Sequence, residues 1–120
     1  MTVRKATLAL CGAAALAAAP ALAAAAAPKK RTVLVTDNYY NPKKLTIHVG
    51  DTLRWHWDEN ETDVHDVKLA VAPKGVPKFQ TEPLAAGQSY SRKLTKPGSY
   101  RFICTFHEDE MFMSVTVKKR

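Results

Sequence analysis

The sequence predicts a small all-β sandwich of about seven to eight strands. From Arg31 onward, apolar residues recur at every second position in short runs, which is the period of a half-buried strand and not of a helix. Glycine, proline and asparagine separate these runs at short intervals, as the turns of an antiparallel sandwich require. No run is long enough to indicate a long helix. We expect strands at about 32–36, 44–49, 52–58, 65–71, 89–95, 99–104 and 112–118.

Two neighbouring segments show the alternation most clearly, and a turn at Gly50-Asp51 joins them. The inward-facing positions are predicted to be Leu45, Ile47 and Val49 in the first segment and Leu53, Trp55 and Trp57 in the second. His48 and His56 fall on the opposite parity. We therefore interpret both histidines as solvent-facing side chains and not as metal ligands.

Two other segments are too rich in strand breakers to form central strands. Residues 38–42 contain two asparagines and a proline, and we interpret them as a connection. Residues 72–88 contain three prolines and two glycines, which predicts a meandering loop with one short edge strand near Phe79.

The amino-terminal residues predict a secretory signal peptide over residues 1–27. Arg4 and Lys5 precede the apolar run 6–19, and Ala21-Leu22-Ala23 offers a small-x-small cleavage site, so cleavage is expected between 23 and 27. An uncleaved anchor is the alternative, because residues 6–27 are long enough to span a bilayer. Residues 28–120 then form one domain with one core. We expect an exported monomer in the periplasm or outside the cell, without stable membrane insertion.

Cysteine usage and net charge limit the possible functions further. Loss of Cys11 with the signal peptide leaves Cys104 as a single thiol, and an unpaired cysteine in an exported chain is explained either by metal ligation or by an inert buried position. The formal net charge is +7, with basic residues at 29–31 and 118–120. These termini are interpreted as solvated tails, with an anionic surface or an acidic redox partner as the alternative. Basic and aromatic residues do not interleave, which excludes nucleic acid as a partner.

A cluster of metal-binding side chains lies near the carboxyl terminus. Cys104, His107 and Met111 fall within eight residues, and a thiolate, an imidazole and a thioether together suit copper, which also takes a second imidazole. His65 is the best-placed candidate for that imidazole, at the predicted start of an inner strand. Zinc is the main rival, although a methionine is a poor zinc ligand. A cysteine hydrolase with Cys104 as nucleophile and His107 as base is a further alternative.

Over roughly residues 33–117 the chain resembles the small cupredoxins of the plastocyanin, pseudoazurin and amicyanin group. The resemblance is carried by Val49-Gly50-Asp51-Thr52-Leu53-Arg54-Trp55, His65-Asp66-Val67, Pro97-Gly98-Ser99-Tyr100-Arg101-Phe102, and Cys104-Thr105-Phe106-His107 with the methionine that follows. It implies a cupredoxin-like Greek-key β-sandwich with one copper ion that alternates between Cu(I) and Cu(II). The implied ligands are His65, Cys104, His107 and Met111.

The same resemblance implies a one-electron carrier that meets redox partner proteins transiently and is not an enzyme. A copper-binding or copper-delivery protein is the alternative function, and a relative of the larger copper oxidases or reductases is a second one. In cupredoxins the residues at positions 66 and 105 hydrogen-bond across the site, and here they are Asp66 and Thr105. Asp66 replaces the commoner asparagine, so we expect it to lower the reduction potential.

Two further departures from the family pattern leave alternatives. Three residues separate His107 from Met111, where the plastocyanin group has four and amicyanin has two, so Met113 stays a competing axial ligand or a core side chain. Glu108-Asp109-Glu110, called the acidic triplet below, stands where relatives carry proline and apolar residues. We interpret it either as a solvated loop tip or as a docking face for a basic partner.

Overall fold

The computed structural model describes residues 26–120, together with Thr2 and Gly12. Almost all of the predicted signal peptide lies outside the described residues, so its cleavage stays a prediction. The part of the chain that is described folds into eight strands: β1 (Lys30–Thr36), β2 (Tyr39–Asn41), β3 (Lys44–His48), β4 (Thr52–Trp57), β5 (Lys68–Val71), β6 (Ser89–Lys93), β7 (Gly98–Ile103) and β8 (Phe112–Lys118). Within that part, no helix has the length and apolar character needed to cross a membrane.

The eight strands form two four-stranded sheets, and the predicted all-β sandwich is confirmed. One sheet has the order β2-β1-β4-β6 and the other has the order β3-β8-β7-β5. The alternation of apolar residues predicts which face of a strand is buried but not the direction of the neighbouring strand. The antiparallel pairing that we expected is wrong for two of the strand pairs. β1 pairs with β4 in parallel, and β3 pairs with β8 in parallel. The turn at Gly50-Asp51 therefore leads from one sheet to the other and does not close a hairpin.

The core lies between the two sheets and is built from the predicted inward positions. Trp55 of β4 and Phe102 of β7 meet edge to face across the core, with ring centroids 4.9 Å apart, which is the preferred geometry for an aromatic pair. Trp57 and Leu53 are also fully buried. His48 is exposed, and His56 is only half-buried and contacts Ser89 on the outer face. The outward placement of both histidines is thus confirmed.

The interpretation of residues 38–42 as a connection alone was wrong, because Tyr39–Asn41 forms the short edge strand β2. Pairing with β1 aligns Val35 with Tyr40, and Tyr40 is fully buried. Tyrosine favours strands, and Pro42 follows the last paired residue, where it removes no ladder hydrogen bond. The chain turns before β2 at Asn38, whose φ of 67° is tolerated best by asparagine and glycine.

Two strand boundaries near the site also differ from the prediction. The strand expected at 65–71 begins only at Lys68, and the edge strand expected near Phe79 is reduced to isolated bridges from His65 to Leu84 and from Lys68 to Gln80. A side chain replaces a backbone partner here, because Val67 N donates to Thr81 Oγ1. His65 therefore precedes β5 and does not start it.

Candidate metal centre

A closed loop after β7 carries three of the four predicted ligands. Cys104 N donates to Met111 O at 2.9 Å, and His107 N and Met111 N donate to Cys104 O and His107 O at 3.2 and 2.8 Å. β7 enters this loop and β8 leaves it, and the two strands are paired from Ile103 and Phe112 onward. The loop is consequently held at both ends and across its middle by backbone hydrogen bonds.

The structure brings His65 together with two residues of that loop. Cys104 Sγ lies 3.8 Å from His65 Nδ1 and 3.8 Å from His107 Nδ1. The donor atoms of all three residues lie within 4.8 Å of one another, and the two imidazole rings are 5.1 Å apart at an angle of 48°. Two imidazoles and one sulfur thus surround a space that fits a single metal ion.

The fourth predicted ligand, Met111, is placed by its backbone at the end of the same loop. Burial does not distinguish it from Met113, because both side chains are fully buried. Their positions in the chain do differ. Met111 closes the hydrogen-bonded loop, whereas Met113 lies inside β8 opposite Phe102. This difference favours Met111 as the ligand and Met113 as a core side chain.

Two buried aromatic side chains hold His65, although it lies outside a strand. Tyr40 Oη donates to Asp66 O at 2.6 Å, and Trp57 Nε1 donates to His65 O at 3.2 Å. Burial raises the pKa of Tyr40 far above its ordinary value, so its hydroxyl keeps the proton that it donates. The sequence analysis gave neither residue a role in the site. Trp57 was predicted to face inward, whereas Tyr40 lay in the segment 38–42 that was interpreted as a connection.

Asp66 ties the segment of His65 to the loop of Cys104. Its carboxylate accepts hydrogen bonds from Thr105 N at 2.8 Å and Thr105 Oγ1 at 2.6 Å, and Gln80 Nε2 donates to it at 3.0 Å. The structure therefore contains the expected link between positions 66 and 105. A third donor, from Gln80, was not anticipated.

Three further carboxylates surround the imidazoles, and sequence analysis gave none of them a role in the site. Glu61 Oε1 lies 2.6 Å from His65 Nε2, and Asp37 Oδ1 lies 3.4 Å from the same nitrogen. Asp63 Oδ2 lies 3.1 Å from His107 Nε2. The available signal was the acidic composition of residues 58–63 just before His65. Composition did not show which of these side chains turn inward.

The electrostatics of the site suit a metal better than a nucleophile. Burial raises the pKa of the Cys104 thiol, and its hydrogen-bond donors offset this only in part. A catalytic cysteine needs the opposite shift, so Cys104 is a poor nucleophile and a metal is needed to hold its thiolate. Burial also lowers the pKa of His65, which keeps its imidazole neutral and able to bind a metal.

The donor set fits copper. Two imidazoles, one thiolate and a nearby methionine form the ligand combination of blue-copper centres, whereas structural zinc sites take four strong ligands. A β-sandwich that holds this combination at one end defines a small single-copper protein of the cupredoxin type.

Comparison with known proteins agrees with this class. The family described as copper binding proteins, plastocyanin/azurin family, matches residues 30–118. A plastocyanin from Prochlorothrix hollandica is 36% identical over 91 residues, which cover 69% of this chain and 68% of that protein. The chain belongs to the plastocyanin/azurin family of copper-binding proteins, and its cofactor is one copper ion.

Solved structures show the same fold. A reduced amicyanin variant superposes with a TM-score of 0.64 at 29% identity, covering 72% of this chain and 80% of amicyanin. A copper-containing nitrite reductase from Thermus scotoductus SA-01 superposes with a TM-score of 0.62 at 30% identity, but the match covers only 22% of that larger chain. The likeness to the enzyme is therefore confined to one part of it.

Proposed function

We propose that this protein is an exported blue-copper protein that carries single electrons between redox partners. The proposed ligands are His65, Cys104, His107 and Met111. The observation that carries the proposal is the placement of Cys104 Sγ at 3.8 Å from the Nδ1 atom of each histidine. These donors come from two segments that are 39 residues apart in the chain, and tertiary packing joins them at a buried position.

The chain's contribution to electron transfer is a donor set that does not have to move. Copper, when bound, supplies the change between Cu(I) and Cu(II). The side chains of Tyr40 and Trp57 hold the backbone of His65 and Asp66, while the backbone hydrogen bonds of residues 104–111 hold the other ligands. A rigid donor set keeps the reorganisation energy of electron transfer small when the charge of the copper ion changes.

Electrons are proposed to pass through the edge of His107. Its side chain is 21% exposed, whereas the side chain of His65 is fully buried. The exposed apolar residues Phe106 and Val64 adjoin the two histidines in sequence. A small apolar contact with charged residues around it is typical of weak, transient redox encounters. The acidic triplet, whose three residues are exposed, supports a basic partner that docks on this side.

We propose a monomeric carrier without catalytic activity of its own. Apart from the proposed ligands, the described residues contain one other group of metal-binding side chains, and it shares His65. Burial of the ligands also argues against copper delivery, because a delivery protein has to open its site to an acceptor. Rapid loss of Cu(I) from the purified protein to an external chelator would favour delivery instead.

Export is proposed from the pattern of residues 1–27. Expression of the full chain in a bacterium, followed by fractionation and sequencing of the amino terminus, tests it. A mature protein in the periplasm that begins between residues 24 and 28 is the expected result. Full-length protein in the membrane fraction would favour the uncleaved anchor.

The copper proposal is tested by colour. Purified protein should turn intense blue or green on addition of Cu(II), from charge transfer between the thiolate and the metal, and ascorbate should bleach it. Cys104→Ser should remove the band. A colourless wild-type protein, or a Cys104→Ser variant that binds copper with undiminished affinity and colour, would contradict the proposal.

The axial ligand is tested with a matched pair of substitutions, Met111→Gln and Met113→Gln. An amide oxygen in place of the axial thioether changes the visible spectrum and the reduction potential, because both depend on the axial ligand. Met111→Gln should alter both properties, while Met113→Gln should lower the free energy of unfolding with little spectral change. The reverse pattern would assign Met113 as the ligand.

A further inference from the structure

The segment between β4 and His65 places one carboxylate against each of the two proposed imidazole ligands. Glu61 Oε1 reaches His65 Nε2 at 2.6 Å, and Asp63 Oδ2 reaches His107 Nε2 at 3.1 Å. The two acids are only two residues apart in the chain, while His65 and His107 come from different loops. A single short segment therefore contacts the outer nitrogen of both rings.

We propose that Glu61 and Asp63 are positioning residues of the copper centre, which direct Nδ1 of both histidines to the metal and favour Cu(II) over Cu(I). This inference deepens the proposed function and rests on it. Neither residue touches the metal position itself, since both contact the nitrogen on the far side of the ring.

Burial makes Glu61 the stronger of the two contacts. Its side chain is 1% exposed. Both of its oxygens lack a hydrogen bond within the described part of the chain. The hydrogen bond of His65 Nε2 is made with Asp37 Oδ1 at 3.4 Å, and Glu61 meets the same nitrogen as a close contact. A buried carboxylate without hydrogen bonds is costly. His65 Nε2 is the polar atom that lies against this carboxylate, so the positions of the two groups depend on each other.

The segment that carries both acids is itself held in place. Asp37 accepts hydrogen bonds from Thr62 N at 3.3 Å, Thr62 Oγ1 at 3.1 Å and Asp63 N at 3.2 Å. These three bonds secure the backbone between Glu61 and Asp63. Because Asp37 also lies 3.4 Å from His65 Nε2, the same acid links this segment to the ligand that Glu61 contacts.

Imidazole chemistry explains what the carboxylates do. A neutral imidazole that offers Nδ1 to a metal carries its proton on Nε2, where a carboxylate favours that proton. For His65 the carboxylates at Nε2 are Glu61, at 2.6 Å, and Asp37, which makes the hydrogen bond at 3.4 Å; for His107 the carboxylate is Asp63. The contact selects the tautomer, orients the ring and makes the ligating nitrogen more basic. Both Nδ1 atoms face Cys104 Sγ in the structure, as this tautomer requires. Negative charge beside each ring favours the more highly charged ion.

The test compares Glu61→Gln and Asp63→Asn with Glu59→Gln as a matched control. Glu59 belongs to the same acidic segment, but its side chain is 75% exposed and its nearest basic group is His56. Each substitution removes one negative charge. Affinities for Cu(II) and Cu(I) are measured separately by chelator competition, and the reduction potential is measured by voltammetry.

Glu61→Gln should weaken Cu(II) binding relative to Cu(I) binding by roughly tenfold or more. A tenfold change in that ratio raises the potential of a one-electron couple by about 59 mV. Asp63→Asn should act in the same direction by a smaller factor, because Asp63 is 53% exposed and is screened by water and salt. Equal effects of Glu61→Gln and Glu59→Gln would overturn the proposal.

A second measurement keeps the proposal testable if Glu61→Gln does not fold. Nitrogen-15 NMR of the metal-free wild-type protein at pH 8 reports the tautomer of each histidine. His65 should carry its proton on Nε2, and a proton on Nδ1 would overturn the proposal. This readout does not require copper, so failure of the wild-type protein to bind copper would reject the proposed function without deciding the role of Glu61.

Discussion

Asp66 joins two segments of the site and is also placed to influence the reduction potential. It is 1% exposed, and its carboxylate accepts three hydrogen bonds, two from Thr105 and one from Gln80. These three donors compensate the buried carboxylate for the water that it has lost. The carboxylate lies between the segments of His65 and Cys104, because Asp66 follows His65 in the chain and bonds to Thr105, which follows Cys104.

Asp66→Asn should raise the reduction potential of the copper centre. The amide oxygen can still accept from Thr105 N, and the amide nitrogen can donate to Thr105 Oγ1 if the Gln80 amide turns over. The fold is therefore retained while the charge is lost. Voltammetry of the variant should show the rise, and Glu82→Gln, which removes a charge from an exposed position, serves as the control. An unchanged potential in Asp66→Asn would contradict this reading.

At the scale of elements, the short strand β2 supports His65, a proposed ligand that belongs to no strand. Tyr40 lies in β2, 26 residues before the carbonyl of Asp66 that it contacts. Trp57, at the end of β4, contacts the adjacent carbonyl of His65. Two strands of one sheet thereby satisfy consecutive backbone carbonyls of a buried loop. Pairing of β1 with β2 is needed to bring Tyr40 to that position.

Tyr40→Phe should lower the free energy of unfolding of the metal-free protein by about 1–3 kcal/mol, because the carbonyl of Asp66 loses its hydrogen-bond donor in a buried position. Copper affinity should fall as well, since His65 is held less firmly. Urea unfolding and chelator competition measure the two effects. Tyr39→Phe is the matched control, because the side chain of Tyr39 is 45% exposed on the same strand. Indistinguishable behaviour of the two variants would refute the role given to Tyr40.

At the scale of the whole molecule, Asp51 ties both ends of the domain to the turn between the sheets. It accepts hydrogen bonds from Lys29 N at 2.8 Å and His48 N at 2.9 Å, and it pairs with Arg120. The hydrogen bonds from Lys29 and His48, followed by the charge of Arg120, hold the pKa of Asp51 below its usual value, although burial opposes them.

This shift predicts how stability depends on pH. A carboxylate with a lowered pKa in the folded state contributes stability above its unfolded pKa of about 3.9, and the contribution is lost as pH falls through the folded pKa. Asp51→Asn should therefore reduce the free energy of unfolding at pH 7 and flatten its decline below about pH 4. Urea unfolding across pH measures this, with the exposed substitution Asp109→Asn as the control. An equally steep acid decline in Asp51→Asn would disprove the assignment.

Charge is also distributed along the long axis of the sandwich. Gly98 at one end of β7 pairs with Val117, next to the basic carboxyl terminus, and Ile103 at the other end pairs with Phe112, next to the acidic triplet. Six residues of strand separate these ends by roughly 17 Å, which exceeds the Debye length of about 8 Å at physiological salt. The basic and acidic ends therefore act as separate surfaces.

Neutralising the acidic triplet should slow electron transfer to a basic cytochrome at low salt and flatten the dependence of that rate on ionic strength. Stopped-flow mixing of the reduced protein with the oxidised cytochrome measures both effects. A control that neutralises Lys29, Lys30 and Lys119 removes three charges from the other end. If the control changes the salt dependence as much as the triplet variant does, docking does not use the acidic triplet.

Much of this fold and of the site chemistry could be predicted because the signals are local. The alternation of Leu53, Trp55 and Trp57 reports which face of β4 is buried, whatever strand lies beside it. The short spacing of Cys104 and His107 likewise indicates that both residues belong to one loop. Strand direction could not be predicted in this way, because the parallel pairing of β1 with β4 depends on how the chain crosses between the sheets.

The sequence by itself determined the class of fold, the copper chemistry and the residues that could bind the metal, because burial parity and donor type belong to individual side chains. Only the tertiary structure decided that Tyr40 supports His65, that Glu61 and Asp63 contact the two imidazoles, and that Asp51 joins the termini. Most of those contacts join residues that are far apart in the chain, such as Asp63 and His107 at a separation of 44. Glu61 lies only four residues before His65, but its contact depends on how that loop folds. Their formation depends on the packing of whole strands and loops, which a local pattern does not contain.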